Sequence, residues 1–364
     1  MKAICFYLPQ YHPIPENNLW WGPGFTEWRN VASARPLFHD HYQPHHPGDL
    51  GYYDLRLDET REHQAQLAKD HNIYGFCYYH YWFNGKQLLH RPISDVLATG
   101  KPDFPFCLCW ANENWTRRWD GQEEDILIKQ VYSNTDDEDH IRFLIPYFSD
   151  KRYIRIDNKP LFLVYRASRL PNPFLTTLAW RNIARSSGIG ELYLVKVESF
   201  HSERSRVPAL DGFDAALDFQ PDWGSLPHKL YPSLFQKLFH RLIYKQHHPF
   251  LVNNIYLYSH VVKAMSSRKP VAYPRFPCIV PSWDNSARRR NGSATILHAS
   301  SPSAYGEWLD NIVLDSTTMS RLPEPVVFIN AWNEWAEGNH LEPDLKYGHG
   351  YLEETSRILA HSTS

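Results

Sequence analysis

No apolar run in this 364-residue chain approaches the roughly 18 residues that a transmembrane helix needs, so no membrane span is expected. Neither sign of charge dominates. Lys and Arg number 38 against 40 Asp and Glu, a formal net charge of -2. A dedicated nucleic-acid binder would carry a basic surplus, and no nucleic-acid partner is expected. Cysteine is scarce and odd in number. Cys5, Cys77, Cys107, Cys109 and Cys278 all fall in predicted strands, which suits buried free thiols in a reducing compartment. The pair Cys107-x-Cys109 alternates within a strand, and neither a Cys-x-x-Cys pair nor an HExxH motif occurs. Gly85-Lys86 lacks the earlier glycine of a phosphate loop. Gly22-Pro23-Gly24 lacks the third glycine of a dinucleotide turn. No cofactor and no metal are therefore expected. The opening Met1-Lys2-Ala3-Ile4-Cys5-Phe6-Tyr7-Leu8-Pro9-Gln10 is too short in apolar residues, and too rich in Pro and Tyr, for a secretory signal. A cytoplasmic location, free or peripheral to the inner membrane, is the expectation.

What the chain has in excess is aromatic surface. Its 13 Trp and 22 Tyr exceed what a core requires, and their polar handles suit flat, half-wet recognition surfaces. The alternative is a large core that happens to be rich in these residues.

Eight short apolar runs read as strands: Ala3–Leu8, Ile73–Tyr79, Phe104–Cys109, Pro160–Val164, Glu191–Val195, Ala215–Phe219, Phe276–Val280 and Pro325–Asn330. Most are continuously apolar rather than alternating, the pattern of parallel strands covered on both faces. The sixth, short and holding acids, is the weakest. Helical patterns lie over Leu57–His71, Asp137–Phe148, Asn172–Ser187, Ser233–His247, Tyr256–Ser266, Pro302–Asp315 and Leu352–Ser362. Strands alternating with helices, without a dinucleotide turn, predict an α/β fold: a single (β/α)8 TIM-type barrel spanning residues 1–364. Long loops follow strand 1 (Pro9 to Asp54) and strand 6 (Asp222–Asn253), and long loops in compact domains usually carry function.

In such a barrel chemistry collects where strands end. Reading past each strand gives Gln10, Tyr11 and His12; Tyr79, His80, Tyr81 and Trp82; Trp110, Asn112, Glu113, Asn114 and Trp115; Tyr165 and Arg166; Lys196 and Glu198; Gln220, Asp222 and Trp223; Trp283, Asp284 and Asn285; and Trp332, Asn333, Glu334 and Glu337. Amides and carboxylates bind adjacent hydroxyls, and indoles and phenols stack on sugar C–H faces. The expected partner is therefore a polysaccharide or oligosaccharide. The competing reading for any single residue is loop polarity facing solvent.

Glu334 and Glu337 are the catalytic candidates. Cleaving a glycosidic bond needs one group to protonate the leaving oxygen and another to act as base or nucleophile. The structural alternative is an ion pair with Arg117, Arg118 or Arg166. Glu113 and Asp284 are second-tier carboxylates, and Glu342 reads as structural or as a rim contact. Arg117, Arg118 and Lys196 could bind phosphate, but ion pairs are preferred. Arg288-Arg289-Arg290 reads as a solvated loop. His39, His41, His45 and His46, with His247-His248, form a histidine-rich pattern interrupted by Pro and Tyr, more typical of an aromatic loop than of a zinc site.

Several motifs resemble the WbsX-like family over nearly the whole chain. They are Ile4-Cys5-Phe6-Tyr7-Leu8-Pro9-Gln10-Tyr11-His12-Pro13, Trp20-Trp21-Gly22-Pro23-Gly24-Phe25-Thr26-Glu27-Trp28, Gln43-Pro44-His45, Tyr74 to Phe83 and Trp110-Ala111-Asn112-Glu113-Asn114-Trp115. That resemblance implies a place in bacterial surface-polysaccharide synthesis, with members often labelled glycosyltransferases, and adds Glu27 and Trp28 to the substrate-binding set. That set is then Gln10, Tyr11, Glu27, Trp28, Tyr79, His80, Trp82, Trp110, Asn112, Glu113, Lys196, Asp284, Trp332 and Asn333. Asn333-Glu334-Trp335-Ala336-Glu337-Gly338 with Leu341-Glu342-Pro343 is similar to the catalytic motif of glycoside hydrolase family 99, endo-α-mannosidases and endo-α-mannanases. It implies a barrel and retention through a 1,2-anhydro sugar. Glu334 would be base toward the 2-hydroxyl, and Glu337 general acid with the more raised pKa. Ala336 stands where that family typically carries His. The implied activity is hydrolysis of an internal α-mannosidic or related bond. A transferase or transglycosylase, and a non-catalytic glycan binder, are the alternatives.

Overall fold

The computed structural model describes residues 1–117, 122–244, 248–289 and 292–361. Eight parallel strands close into a barrel: β1 Lys2–Tyr7, β2 Gly75–Phe83, β3 Phe106–Trp110, β4 Lys159–Val164, β5 Tyr193–Val197, β6 Ala215–Asp218, β7 Arg275–Ile279 and β8 Val326–Ile329. Each pairs with its sequence neighbours, and β8 returns to β1 with Lys2 opposite Val326 and Cys5 opposite Ile329. The fold is a (β/α)8 barrel, as expected. The strands form where they do because both faces are covered. Residues 3–7, 106–110 and 160–164 are buried without alternation. Gly75 opens β2 because a Cβ there would meet the Pro105 carbonyl oxygen at 2.6 Å.

Helices Asp58–Asp70, Asn134–Ser149, Pro173–Ser186, Tyr258–Ser266, Pro302–Leu314 and Gly350–His361 cover the barrel. Their starts are written locally. Ser133, Asn172 and Ser301 accept hydrogen bonds from Asp136 N, Leu175 N and Ala304 N, and Pro173 and Pro302 occupy the first turn. Helix Arg91–Thr99, between β2 and β3, was not among the sequence-predicted helices. Between β5 and β6 two 3-10 turns, His201–Arg204 and Pro208–Asp211, stand in place of an α-helix.

The second strand differs most from expectation. It runs four residues beyond Tyr79, because past the barrel rim it folds back in a hairpin with Lys86–Leu88. Both long loops are present. The first carries helices Pro15–Trp21 and Trp28–Ser33. The second carries helix Leu234–Tyr244, and its strand Asn254–Leu257 pairs with Thr295–His298. All five cysteines are buried and free. No helix among the described residues is long and apolar enough to cross a membrane.

Candidate functional site

A cavity of about 410 Å³ opens at the ends of the barrel strands. Glu334 and Glu337 both line it, with Tyr79, Tyr81, Trp115, Tyr165, Phe200, Phe219, Trp223 and Trp283 as aromatic walls. After β8 the chain makes a two-residue strand, Asn333–Glu334, paired antiparallel with Asn339–His340 around the turn Trp335–Glu337. Gly338 closes that turn at φ +56°, where an added Cβ would press on Asp284 at 3.0 Å. This hairpin brings the two carboxylates to one spot.

The centre of that spot is Arg288. Its guanidinium forks onto Glu27, Nε to Oε1 at 2.7 Å and Nη2 to Oε2 at 2.6 Å. Nη2 also reaches Glu334 Oε2 at 3.3 Å, and Nη1 donates to Glu337 Oε1. One cation thus serves three carboxylates in a mostly buried site. Burial, then the charge of Glu337, pushes the Glu334 carboxyl well above the usual carboxylate range, with Arg288 opposing. Burial thus raises the residue that the motif resemblance gives as the base. Of the pair, Glu334 is the more deeply buried, with 9 % of its side chain exposed against 19 % for Glu337.

Arg288 is held by its own turn. Asp284 caps the 3-10 turn Asn285–Arg288 by accepting from Ser286 N at 2.9 Å. His41 Nε2 and Gln43 Nε2 donate to the other Asp284 oxygen at 2.6 and 2.9 Å. Asp284 is thus a positioning residue, not a cavity wall. The expectation of a solvated arginine loop is corrected at Arg288, because Glu27 and the hairpin carboxylates draw it inward. Arg289 lines the cavity, while Arg290 lies outside the described residues.

The remaining candidates divide by side of strand. Gln10, Tyr79 and Glu113 line the cavity. Among the described residues, Gln10 Oε1 and the Trp283 indole N–H are buried without a hydrogen-bond partner. Glu113 meets Arg166, which also pairs with Glu203 at 3.0 Å and lies over Phe200 at 4.2 Å.

His80, Trp82 and Trp110 point the other way, into the layer between barrel and helices. His80 Nε2 lies 3.0 Å from His140 Nε2, Trp82 Nε1 donates to Asp136 Oδ1 at 2.8 Å, and Trp110 Nε1 donates to the Trp82 carbonyl. Period-two alternation along β2 sends Tyr79 and Tyr81 to the cavity and their neighbours outward. Lys196 is likewise outside, donating to the Arg206 carbonyl at 2.8 Å.

Asn112 and Asn333 are braces rather than walls. Asn112 Oδ1 accepts from Arg166 N and its Nδ2 donates to Arg166 O. Asn333 does the same with Leu8, at 2.7 and 3.0 Å. Trp332 is fully buried against Phe76. Trp28 packs between Tyr11 and Trp335, under the carboxylate hairpin. Tyr11 is buried beside them, and among the described residues its hydroxyl has no hydrogen-bond partner. Arg117 pairs with Asp125 at 2.9 Å, and Arg118 lies outside the described residues.

Tyr81, Trp115, Trp223, Trp283 and Asn285 line the cavity although the final candidate set omitted them, and Phe200 and Asn330 line it unforeseen. Arg288 carried one usable signal: it lies four residues after Asp284, within a barrel-loop turn.

Glu342 sits beneath the hairpin. It accepts from Tyr53 Oη at 2.8 Å, Gln64 Nε2 at 2.6 Å and Trp335 Nε1 at 2.6 Å. Burial pushes its carboxyl up to about 7 against these donors. The folded chain therefore holds a proton that the unfolded chain releases. This group's contribution to stability falls as pH climbs from about 4.3 to about 7 and is flat above. Replacing Glu342 by Ala leaves three buried donors unpaired. Urea melts are expected to show a loss of about 3–5 kcal/mol.

The histidine-rich loop scatters rather than converging. His39 meets Asp40, His41 meets Asp284, His45 meets His340 and His46 meets Tyr52. His247 lies outside the described residues. Among the described residues, His45, His340 and Asp344 hold three ligand atoms within 4.8 Å of one another. His340 donates Nδ1–H to the Glu342 carbonyl, which leaves Nε2 facing His45 Nδ1 at 2.9 Å. An N–H···N hydrogen bond accounts for that pair.

A family model described as "Glycosyltransferase WbsX" matches residues 3–355. Two proteins of Xanthomonas campestris pv. campestris, both described as "Uncharacterized protein WxcX", from strains B100 and ATCC 33913, are 43% identical over 359 residues. Those matches cover 99% of this chain and 50% of each relative, so the chain spans about half the length of the curated relatives it matches. Among solved structures, a "Glycoside hydrolase-like protein" is similar with a TM-score of 0.58 at 15% identity, over 98% of this chain and 93% of that one. The GH99 endo-alpha-mannosidase from Bacteroides thetaiotaomicron, in complex with Bis-Tris-propane, is similar with a TM-score of 0.55 at 15% identity, over 99% and 97%. At that identity the likeness speaks for the fold.

Proposed function

The chain belongs to the family described as Glycosyltransferase WbsX, and from that premise we propose that it is a glycan-active enzyme working through Glu334 and Glu337. The reaction we assign is retaining, endo-acting cleavage of an α-mannosidic or related linkage in a microbial polysaccharide. The observation that supports it is the convergence of both carboxylates on one guanidinium, inside an aromatic-walled cavity at the strand ends.

The chemistry follows from the sugar. In an α-mannoside the 2-hydroxyl is axial and trans to the leaving group. A base removes its proton, O2 attacks the anomeric carbon, and an acid protonates the departing glycosidic oxygen. Water then opens the 1,2-anhydro ring with the roles reversed, and the configuration is retained. Glu334 as base and Glu337 as acid is the order that the motif resemblance implies. It requires Glu334 ionised and Glu337 protonated once substrate is bound, whereas burial favours the neutral form of Glu334. Substrate hydroxyls entering the cluster would displace the Arg288–Glu337 contact and let one proton pass from Glu334 to Glu337. The pair would then titrate as a unit rather than as two independent acids.

Transfer is the second reading, favoured by the family's own description. The anhydro ring can be opened by an acceptor hydroxyl in place of water, in the same cavity with the same two carboxylates. Mass spectrometry of products separates the two. The intact enzyme and Glu337→Gln would be incubated with α-mannans and with cellular polysaccharide intermediates, with and without nucleotide sugars. Shorter glycans made only by the intact enzyme are expected. Longer glycans that need a nucleotide sugar and vanish in the variant would establish transfer. Unchanged glycans in every incubation would overturn the enzymatic reading for these substrates.

A further inference from the structure

The loop after β6 carries a feature that the reaction does not use. In helix Leu234–Tyr244, Leu234, Leu238 and Leu242 recur every four residues on one face, and they are 73%, 55% and 79% exposed. The insertion is anchored elsewhere. Leu230 and Phe250 pack on Ile255, Ala294 and Ile296, and Leu230 N donates to the Ile255 carbonyl at 2.7 Å. The leucine stripe is therefore not the side that ties this helix to the barrel.

Charge says what covers it. Between Asp222 and Asp284 the chain has no Asp or Glu at all, while Lys229, Lys237, Arg241 and Lys263 fall in that span. Lys237 and Arg241 lie three residues after Leu234 and Leu238, so they flank the stripe on the helix. Arg241 is exposed, and so is Tyr231, with Lys229 over its ring at 5.1 Å. A protein partner is normally met by a surface of mixed sign. An apolar stripe bordered by cations, with acids cleared from the whole insertion, is the pattern of a helix lying in a lipid headgroup layer.

We propose that helix Leu234–Tyr244 is a membrane-docking element that seats the protein on an anionic bilayer. The insertion starts from cavity walls, since Phe219 lies just before it and Trp223 at its start. Docking there would hold the cavity's end of the barrel toward the membrane. The proposal stands apart from the direction of the reaction.

Flotation of the whole chain with vesicles tests it. Vesicles of phosphatidylcholine alone would be compared with vesicles holding about a third phosphatidylglycerol. The expected result is co-flotation with the anionic vesicles only, weakening as salt is raised. The double variant Leu238→Glu, Leu242→Glu should lower partitioning by about tenfold or more, and Lys237→Glu with Arg241→Glu should abolish the preference for anionic lipid. Circular dichroism melts check that both variants remain folded, as the exposure of these leucines predicts. Absence of flotation with anionic vesicles would overturn the proposal, as would flotation unchanged in both variants. Light scattering that shows a dimer broken by the leucine variant, without vesicle binding, would assign the stripe to a second copy of the chain.

Discussion

Glu337→Gln is expected to lower kcat by about 10²–10⁴-fold on a polysaccharide substrate, with KM little changed. The amide is isosteric, and its oxygen can still accept from Arg288 Nη1, so the hairpin Asn333–His340 should keep its shape. What is lost is the transferable proton. That loss should depend on the leaving group. A glycoside whose leaving group is a good anion, such as a glycosyl fluoride, needs no protonation, and the variant should approach wild-type turnover on it. Glu334→Gln should show no such rescue, because its task is to deprotonate the 2-hydroxyl whatever departs. If the rescue falls on Glu334→Gln instead, Glu334, whose carboxyl burial raises, is the working acid and the two roles are exchanged. Equal rescue of both, or of neither, would mean that the pair does not divide acid and base work.

The barrel was legible because its strands are short apolar runs with no polar alternation, a pattern that fits only strands covered on both faces. Each of the eight runs overlaps a barrel strand. The site was legible only in part, and the reason is geometric. Polarity near a strand end looks the same in sequence whether a side chain turns toward the cavity or braces the loop behind it. Asn333 and Asn112 bind backbone atoms of neighbouring strand ends, a use that no spacing announces. His80 and Trp82 were misplaced by one step of the strand period, because β2 continues past the rim into a hairpin and keeps alternating. Helix Arg91–Thr99 escaped because it is only nine residues long: Pro92, Ile93 and Val96 mark one face, but over too few turns for the period to repeat.

Arg288 escaped for a different reason, and the same reason sets its expected effect. Its partner Glu27 is 261 residues away in sequence, and three arginines in a row look like a solvated loop until that partner is in place. In the fold, the Glu27 side chain has no exposed surface and Glu334 has 9 %. Removing the guanidinium takes from these two carboxylates, beside Glu337, the cation that they meet among the described residues. Arg288→Met is therefore expected to lower the unfolding free energy by about 3–5 kcal/mol near neutral pH. The loss should have a definite pH dependence. Arg288 opposes the burial that raises Glu334, so without it the Glu334 carboxyl stands further above its unfolded value of about 4.3, and the folded chain binds more protons than the unfolded one. Stability of the variant then rises as pH falls through that raised value, and the deficit against wild type shrinks until the wild-type carboxyl, held lower by Arg288, protonates as well. Urea melts of both proteins across that range check it, and a deficit constant with pH would show that Arg288 acts through packing instead of charge. Arg288→Lys sharpens the test. Lysine keeps the cation but cannot fork onto Glu27 while touching Glu334 and Glu337, so it should restore part of the stability and little of the activity. A lysine variant with full activity would mean that charge alone, and not the planar fork, organises the pair.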